Sequence, residues 1–298
     1  MVTTRSGNNR VVGSIVSVLG RVRNTRPSTV LFLAPGIAYL GVFFVYPMFL
    51  TVQTSFTRNN ADGYSFENYR AILGSSYYWD VIGLTLILAA ATTIASIAVA
   101  VPLALVLRRR MRGHGLVRVL VLAPLLILAL ISALGLLIIW SNTGWMSKLI
   151  EVFTGANVNV DYTVHGLIIF YVWLYAPYTI LTTLAAVEAI DPAVEEAARI
   201  AGARPLQVLR RITLPLSIAG IRAGSILTFL LAFEAFSIPL IAGGNHRPLA
   251  VVVYTEAAVF ENFPKGSALA VVMALIAIIV LVAYQMTFSG RSRKESPA

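Results

Sequence analysis

The sequence predicts an all-α membrane protein with six transmembrane helices, and three observations predict it. The 298 residues are 58% hydrophobic and only 12% charged, with a mean hydropathy of +0.80, whereas a soluble domain carries roughly 25% charged residues. The apolar residues fall into six long blocks, each close to the about 20 helical residues that a bilayer core requires. The basic residues gather at one set of ends of those blocks, as membrane orientation demands.

The first block covers about residues 30–57 and contains Pro35 and Pro47. The second, about 81–107, carries no charge, and the third runs over about 119–140. The fourth, about 164–187, contains Pro177. A fifth, about 217–241, holds Arg222 near its start and Glu234 deep inside, and the sixth, about 266–288, is again uncharged. Pro239 and the pair Gly243-Gly244 are expected to break the outer end of the fifth.

With the N-terminus inside, the inner segments hold 18 of the 23 Lys and Arg residues and the outer segments hold 5. That asymmetry puts both termini in the cytoplasm, and an even number of spans agrees. The expected layout is a basic tail over residues 1–28, a transmembrane domain over 29–290 with its core at about 81–286, and a tail over 291–298. Residues 11–20 are apolar but flanked by five arginines and lack a cleavage site, so they read as cytoplasmic tail, partly an interfacial helix, and not as a signal peptide.

Composition and motifs exclude several functions. The net charge of +10 comes mainly from arginines at block ends, without a basic, aromatic-interleaved soluble module, so no nucleic-acid partner is expected. There is no cysteine, and His114, His165 and His246 lie far apart, so neither a thiolate nor a histidine metal site is expected. No GxxxxGK[ST] is present, so the chain has no loop to cradle ATP phosphates, and no HExxH or GxSxG occurs. The sequence therefore predicts neither an enzyme nor a bound cofactor.

One inner segment does not belong to a simple bundle. Residues 189–216 form the longest inner connection. Asp191 suits a helix N-cap, with Pro192 at the first helical position. Residues 193–201 are rich in helix formers, with Glu195 and Glu196 in the first turns, where carboxylates favour the positive helix end. Gly202 ends this helix and Pro205 opens a second short one. The small Ala197, Ala198 and Ala201 permit another surface to approach. On the residues alone, an ordinary amphipathic loop weighs as much as an elbow that docks on a partner.

The run Glu196-Ala197-Ala198, three residues, Gly202, nine residues, Ile212, one residue, Leu214-Pro215 matches EAA-x3-G-x9-I-x-LP in full. It resembles the EAA loop of ATP-binding cassette (ABC) importer permeases of the type I, MetI-like fold. That resemblance covers about residues 81–285, with the first span similar to the extra N-terminal helix of many members. It implies that residues 196–202 form a coupling helix seated in a cleft of an ATPase subunit. Glu195, Glu196, Ala197, Ala198, Gly202, Ala203 and Pro205 become the expected coupling residues. It further implies two ATP-binding subunits, a second and different permease as partner, an extracytoplasmic solute-binding protein, and a multi-pass location in a bacterial-type inner membrane.

For the solute, the segment 229–244 (FLLAFEAFSIPLIAGG) and the later NFPKGSALAVV are similar to the polyamine, ferric iron and thiamine branch. The expected solute is a polyamine or other small cation, and the alternatives are sugar or ferric iron. A secondary transporter, the rival of another class, would show internal repeats, and none is seen. Glu234 falls past the bilayer centre towards the outside, by a count of about 1.5 Å per residue from Ser217. It reads equally as a carboxylate that attracts a cation or as a structural one. Phe229, Phe233 and Phe236 flank it on one helix face, a pattern that favours packing over cation-π contact. Glu234, Phe233, Phe236 and Pro239 are the candidate pathway residues. Glu256 and Glu261, and the Tyr- and Asn-rich stretch 57–80, are candidate contacts for the external protein.

Overall fold

The computed structural model describes residues 27–58, 61–108, 114–155 and 160–289. The N-terminal tail up to residue 26, the C-terminal tail 291–298 and Arg109, Arg110 and Arg112 lie outside the described residues. Among the described residues, six stretches are long and apolar enough to cross a membrane: Leu33–Ser55, Ser76–Arg108, Ala129–Thr154, Val164–Glu188, Pro205–Phe233 and Phe263–Thr287.

The chain divides into two compact units between Gln53 and Thr54. The first holds α1 (Pro27–Leu40), a π-helical turn (Gly41–Val45) and most of α2 (Tyr46–Ser55). Pro47 explains the turn: it brings no N–H, and its ring presses on the carbonyl four residues back. Widening the preceding turn relieves that clash, and Tyr46 N–H accordingly bonds Gly41 five residues away. The same device recurs before Pro215, where Leu214 N–H bonds Leu209.

In the second unit, a short hairpin of β1 (Thr57–Arg58) and β2 (Ala61–Tyr64) leads to α3 (Glu67–Leu73). Tyr69 of α3 meets the Ser55 hydroxyl at 2.7 Å. This stretch keeps Tyr64, Phe66, Tyr77 and Trp79 exposed while Ile72 anchors it in a small core with Tyr78, Val81, Leu249 and Leu269.

The second span is one uninterrupted helix, α4 (Ser76–Arg108). The third block is split. α5 (His114–Leu126) ends and α6 (Ala129–Trp140) begins across Ile127 and Leu128, and α7 (Trp145–Thr154) follows after a turn. The expected single helix over 119–140 is therefore two. Pro124 sits inside α5. α8 (Val164–Glu188) is the most buried span. Then come α9 (Pro192–Ile200), α10 (Pro205–Val208), a π-helical turn (Leu209–Thr213) and α11 (Leu214–Phe233). The return between the fifth and sixth spans is made of α12 (Ser237–Ala242), α13 (Leu249–Tyr254) and a third π-helical turn (Thr255–Val259), and α14 (Phe263–Ser289) is the last described helix.

The core is the packing of α4, α8 and α11. Lipid is as apolar as any side chain, so helices in a membrane associate through close fit and hydrogen bonds. α4 presents Thr85, Ala89, Thr92, Ser96, Ala100 and Ala104, all buried, at steps of three or four. α11 presents Gly220 and Gly224. A Cβ at Gly220 would strike Ala186 and Thr182, and one at Gly224 would strike the Thr182 hydroxyl and lie 2.6 Å from Thr179 Cα. This small-xxx-small pair lets α11 touch α8 backbone to backbone. A buried hydroxyl pair, Thr179 to Thr228 at 2.8 Å, then joins the two helices.

Candidate functional site

The elbow under the spans has the expected construction. Asp191 accepts a hydrogen bond from the Ala193 N–H at 2.9 Å, and Pro192 opens α9. At the other end, Gly202 adopts φ +88°. Its N–H bonds the Arg199 carbonyl and the Ala203 N–H bonds the Ala198 carbonyl, both at 3.0 Å. These two bonds satisfy carbonyls that a helix end would otherwise leave open, in the arrangement that requires a left-handed residue. Pro205 is the first residue of α10, and the Gln207 side chain accepts from the Arg204 N–H at 2.7 Å.

The seven expected coupling residues do not share one face. Glu196, Ala197, Gly202 and Pro205 are exposed, and Ala198 and Ala203 are half-buried. Glu195 turns inward, so a contact with an outside subunit, as expected for it, is corrected to an internal one. Its carboxylate receives Arg108 Nη1 at 2.6 Å and the Thr213 hydroxyl at 2.7 Å, both on Oε1. Arg199 stands 4.0 Å from the second oxygen. Arg108 also donates through Nη2 to the Ile190 carbonyl at 3.1 Å. The Glu195 side chain is only 13% exposed. Burial pushes its carboxyl pKa up, but the Thr213 and Arg108 hydrogen bonds and the two arginine charges outweigh that and hold it below the ordinary range. A groove of about 770 Å³ lies beside this cluster, walled by Pro102, Val106, Leu206 and Leu209.

At its C-terminal end, the fifth span stops sooner than its apolar run. α11 stops at Phe233 and Glu234 caps it, with its N–H still bonded to the Leu230 carbonyl at 3.0 Å. The helix thus breaks at 234–236, ahead of Pro239, which was expected to cause the break. Pro239 is instead buried in the first turn of α12, where its missing N–H leaves no bond unmade. Glu234 is exposed at the break and not deep inside a helix.

The three phenylalanines part company. Phe233 is 1% exposed and stacks on Phe229, with ring centroids 6.1 Å apart, in the main core. Phe236 packs edge-on against Tyr254 at 5.1 Å. Packing accounts for both: Phe229 and Phe233 keep a shared aromatic face on α11, and Phe236 lies beyond the break and leaves it.

Sequence reading missed Tyr175 and Tyr178. They line a cavity of about 460 Å³ with the α5–α6 break, residues 124–129. Glu234 stands within electrostatic reach of Tyr175. The available signal was two tyrosines three residues apart around Pro177 in an otherwise uncharged span.

Glu256 does not face an external partner. It is buried, accepts the Tyr78 hydroxyl at 2.8 Å and pairs with Lys265 Nζ at 3.0 Å. Lys265 also lies over the Tyr78 ring, 5.2 Å from its centroid. Glu261 is exposed, with φ 55°.

Comparison with known proteins agrees with this geometry. The family model described as "Binding-protein-dependent transport system inner membrane component" matches residues 113–293, more than half of the chain. The inner membrane ABC transporter permease protein YdcU of Escherichia coli K12 is 29% identical over 275 residues, covering 86% of this chain and 85% of that one. The spermidine/putrescine transport system permease protein PotB of Haemophilus influenzae is 29% identical over 258 residues, 83% of this chain and 90% of its own. The trehalose transport system permease protein SugA of Mycobacterium tuberculosis H37Rv is 24% identical over 288 residues, 94% of each. Among solved structures, a bacterial ABC transporter for the acidic polysaccharide alginate superposes with a TM-score of 0.76 at 20% identity, over 90% of this chain and 95% of that one. The methionine transporter MetNI in inward-facing form gives 0.55 at 16%, over 72% and 97%. Six apolar spans, an EAA elbow and a match over most of the core make this chain a member of the binding-protein-dependent transport system inner membrane components, the multi-pass permease subunits of ABC importers, in which a separate subunit hydrolyses ATP.

Proposed function

We propose that this chain forms one half of a solute pathway and that α9 and Gly202 dock on an ATPase subunit. The observation that carries this is the elbow's outward face: Glu196 and Ala197 are exposed on a helix that buries none of its residues, and Gly202 is exposed just past its end. A surface of small side chains ending in a left-handed glycine suits close approach by a partner, and Glu196 supplies a charge at its edge. Two ATPase subunits and a second permease complete the assembly in this reading, with an external protein delivering solute. Both termini lie in the cytoplasm, by the 18 to 5 distribution of basic residues.

The solute in this reading is a small organic cation of the polyamine class. What supports it is an exposed carboxylate, Glu234, at a helix break, together with a cavity lined by Tyr175 and Tyr178. Carboxylates and aromatic faces both attract alkylammonium groups. The likeness to the spermidine/putrescine permease points the same way. A sugar is the second reading, favoured by the trehalose permease's likeness over 94% of the chain.

Uptake by the reconstituted complex separates the two. The cognate binding protein is offered labelled spermidine, ferric iron, maltose and trehalose, and Glu234→Ala is compared with the unaltered complex. The expected result is spermidine binding and a rise in KM for spermidine of about tenfold, the effect of about 1.4 kcal/mol of lost attraction. Sugar binding by that protein, or unaltered spermidine kinetics, sinks the cation reading.

A further inference from the structure

We propose that α4 is a transmission rod, anchored by Glu195 at its inner end and by Glu256 at its outer end. This rests on the coupling reading above and adds the residues through which the elbow moves the outer face.

The elbow helix α9 buries no residue of its own. Both of its ends are joints: Asp191 leads in from the end of α8 and Gly202 leads out at φ +88°. Apolar packing therefore does not hold α9 to the spans. The cluster around Glu195 does. One carboxylate oxygen takes both Arg108 Nη1 and the Thr213 hydroxyl, at 2.6 and 2.7 Å. Arg108 spends its second nitrogen on Ile190, just before α9. The guanidinium fork thereby fixes α9 at its root and at its first turn together.

Arg108 is the last residue of α4. α4 is a single helix of 33 residues, about 50 Å at 1.5 Å per residue, and its one proline, Pro102, lies two turns before Arg108. Close to its other end stands Tyr78, the donor to buried Glu256, which also holds Lys265. Glu256 belongs to the π-helical turn after α13, and Lys265 to the first turn of α14. A π-helical turn is a local weakness in a helix and often marks a functional position. One continuous helix is thus tied by the half-buried Glu195 carboxylate to the elbow and by the buried Glu256 carboxylate to the outer return. A tilt imposed on α9 reaches the outer return through α4, without passing through the soft breaks at 127–128 and 234–236.

The test uses the complete complex, with ATPase subunits, partner permease and binding protein, in liposomes. Three quantities are read: solute moved per ATP hydrolysed, crosslinking of Ala197→Cys to a cysteine on the ATPase, and the ATP-driven change in distance of a spin label at Glu261→Cys. Glu195→Gln keeps the shape and removes the charge. It is expected to keep the crosslink, to lower solute per ATP at least fivefold, the lower part of the roughly 5–150-fold range for coupled sites, and to suppress the spin-label movement. Glu256→Gln is expected to suppress the movement with the elbow crosslink intact. The exchanged pair Glu195→Arg with Arg108→Glu restores coupling if a tie is what matters, and covers the case in which the single variant does not assemble. Full coupling in Glu195→Gln with the crosslink present overturns the rod and leaves the docking reading standing. Failure of the unaltered complex to crosslink overturns the docking reading itself. An exchanged pair as uncoupled as the single variant also overturns the rod.

Discussion

Consecutive residues of an α-helix point about 100° apart, so Glu195 and Glu196 cannot both face the spans. The structure turns Glu195 to Arg108 and Thr213 and leaves Glu196 exposed. Each then has its own expected failure. Glu196→Lys reverses the charge on the outward face without touching the internal cluster. It is expected to abolish uptake while the chain still inserts and the amount in the membrane stays the same, as read by immunoblot beside a transport assay. Retained uptake refutes a role for that face. Glu195 has a pH signature instead. Its folded pKa is depressed, so its contribution to stability is complete above the unfolded value, near 4.3, and is lost as pH falls through the lower folded value. The difference in Tm between the unaltered chain and Glu195→Gln, in detergent, is expected to be constant at neutral pH and to shrink below about pH 4. A difference that grows with acidity contradicts the cluster as drawn.

Element by element, the spans were legible because a bilayer imposes one rule on every one of them. Backbone groups must be satisfied within the segment, so a long apolar run is a helix. The elbow was legible for a different reason: Asp-Pro, Gly and Pro are local signals whose chemistry needs no partner. The breaks were not. Residues 125–128 read LLIL, and nothing in such a run distinguishes a kinked helix from a straight one. Glu234 to Phe236 break the fifth span without Gly or Pro, while Pro239, the obvious breaker, sits harmlessly in a first turn. The inward turn of Glu195 depends on an arginine 87 positions away, which no local pattern records. The Gly220-xxx-Gly224 spacing was a readable signal that went unused. It predicts that Gly224→Leu fails by overpacking against α8 backbone, which cannot yield as a side-chain tip can. The expected cost is about 3 kcal/mol or more, read as a lower Tm in detergent. Ala219→Ser, at an exposed position one residue before the crossing, gives the reference. A Gly224→Leu chain as stable as Ala219→Ser contradicts the close crossing of α8 and α11.

For the whole molecule, orientation decides whether the pieces have the meaning assigned to them. The elbow can meet an ATPase only from inside, and the outer return can meet a delivered solute only from outside. Both follow from where the arginines stand, because positively charged segments stay on the cytoplasmic side. The sequence makes this testable in an unusually clean way, since it has no cysteine. One introduced cysteine is then the only thiol that a membrane-impermeant maleimide can find. Glu196 and Glu261 are both exposed and stand on opposite sides of the fifth span. In sealed cells with the outer barrier opened, Glu261→Cys is expected to label at once, and Glu196→Cys only after the inner membrane is permeabilised. The reverse pattern would put the elbow outside, away from any nucleotide, and no rearrangement of the partners could then rescue its role as the point where ATP hydrolysis enters the permease.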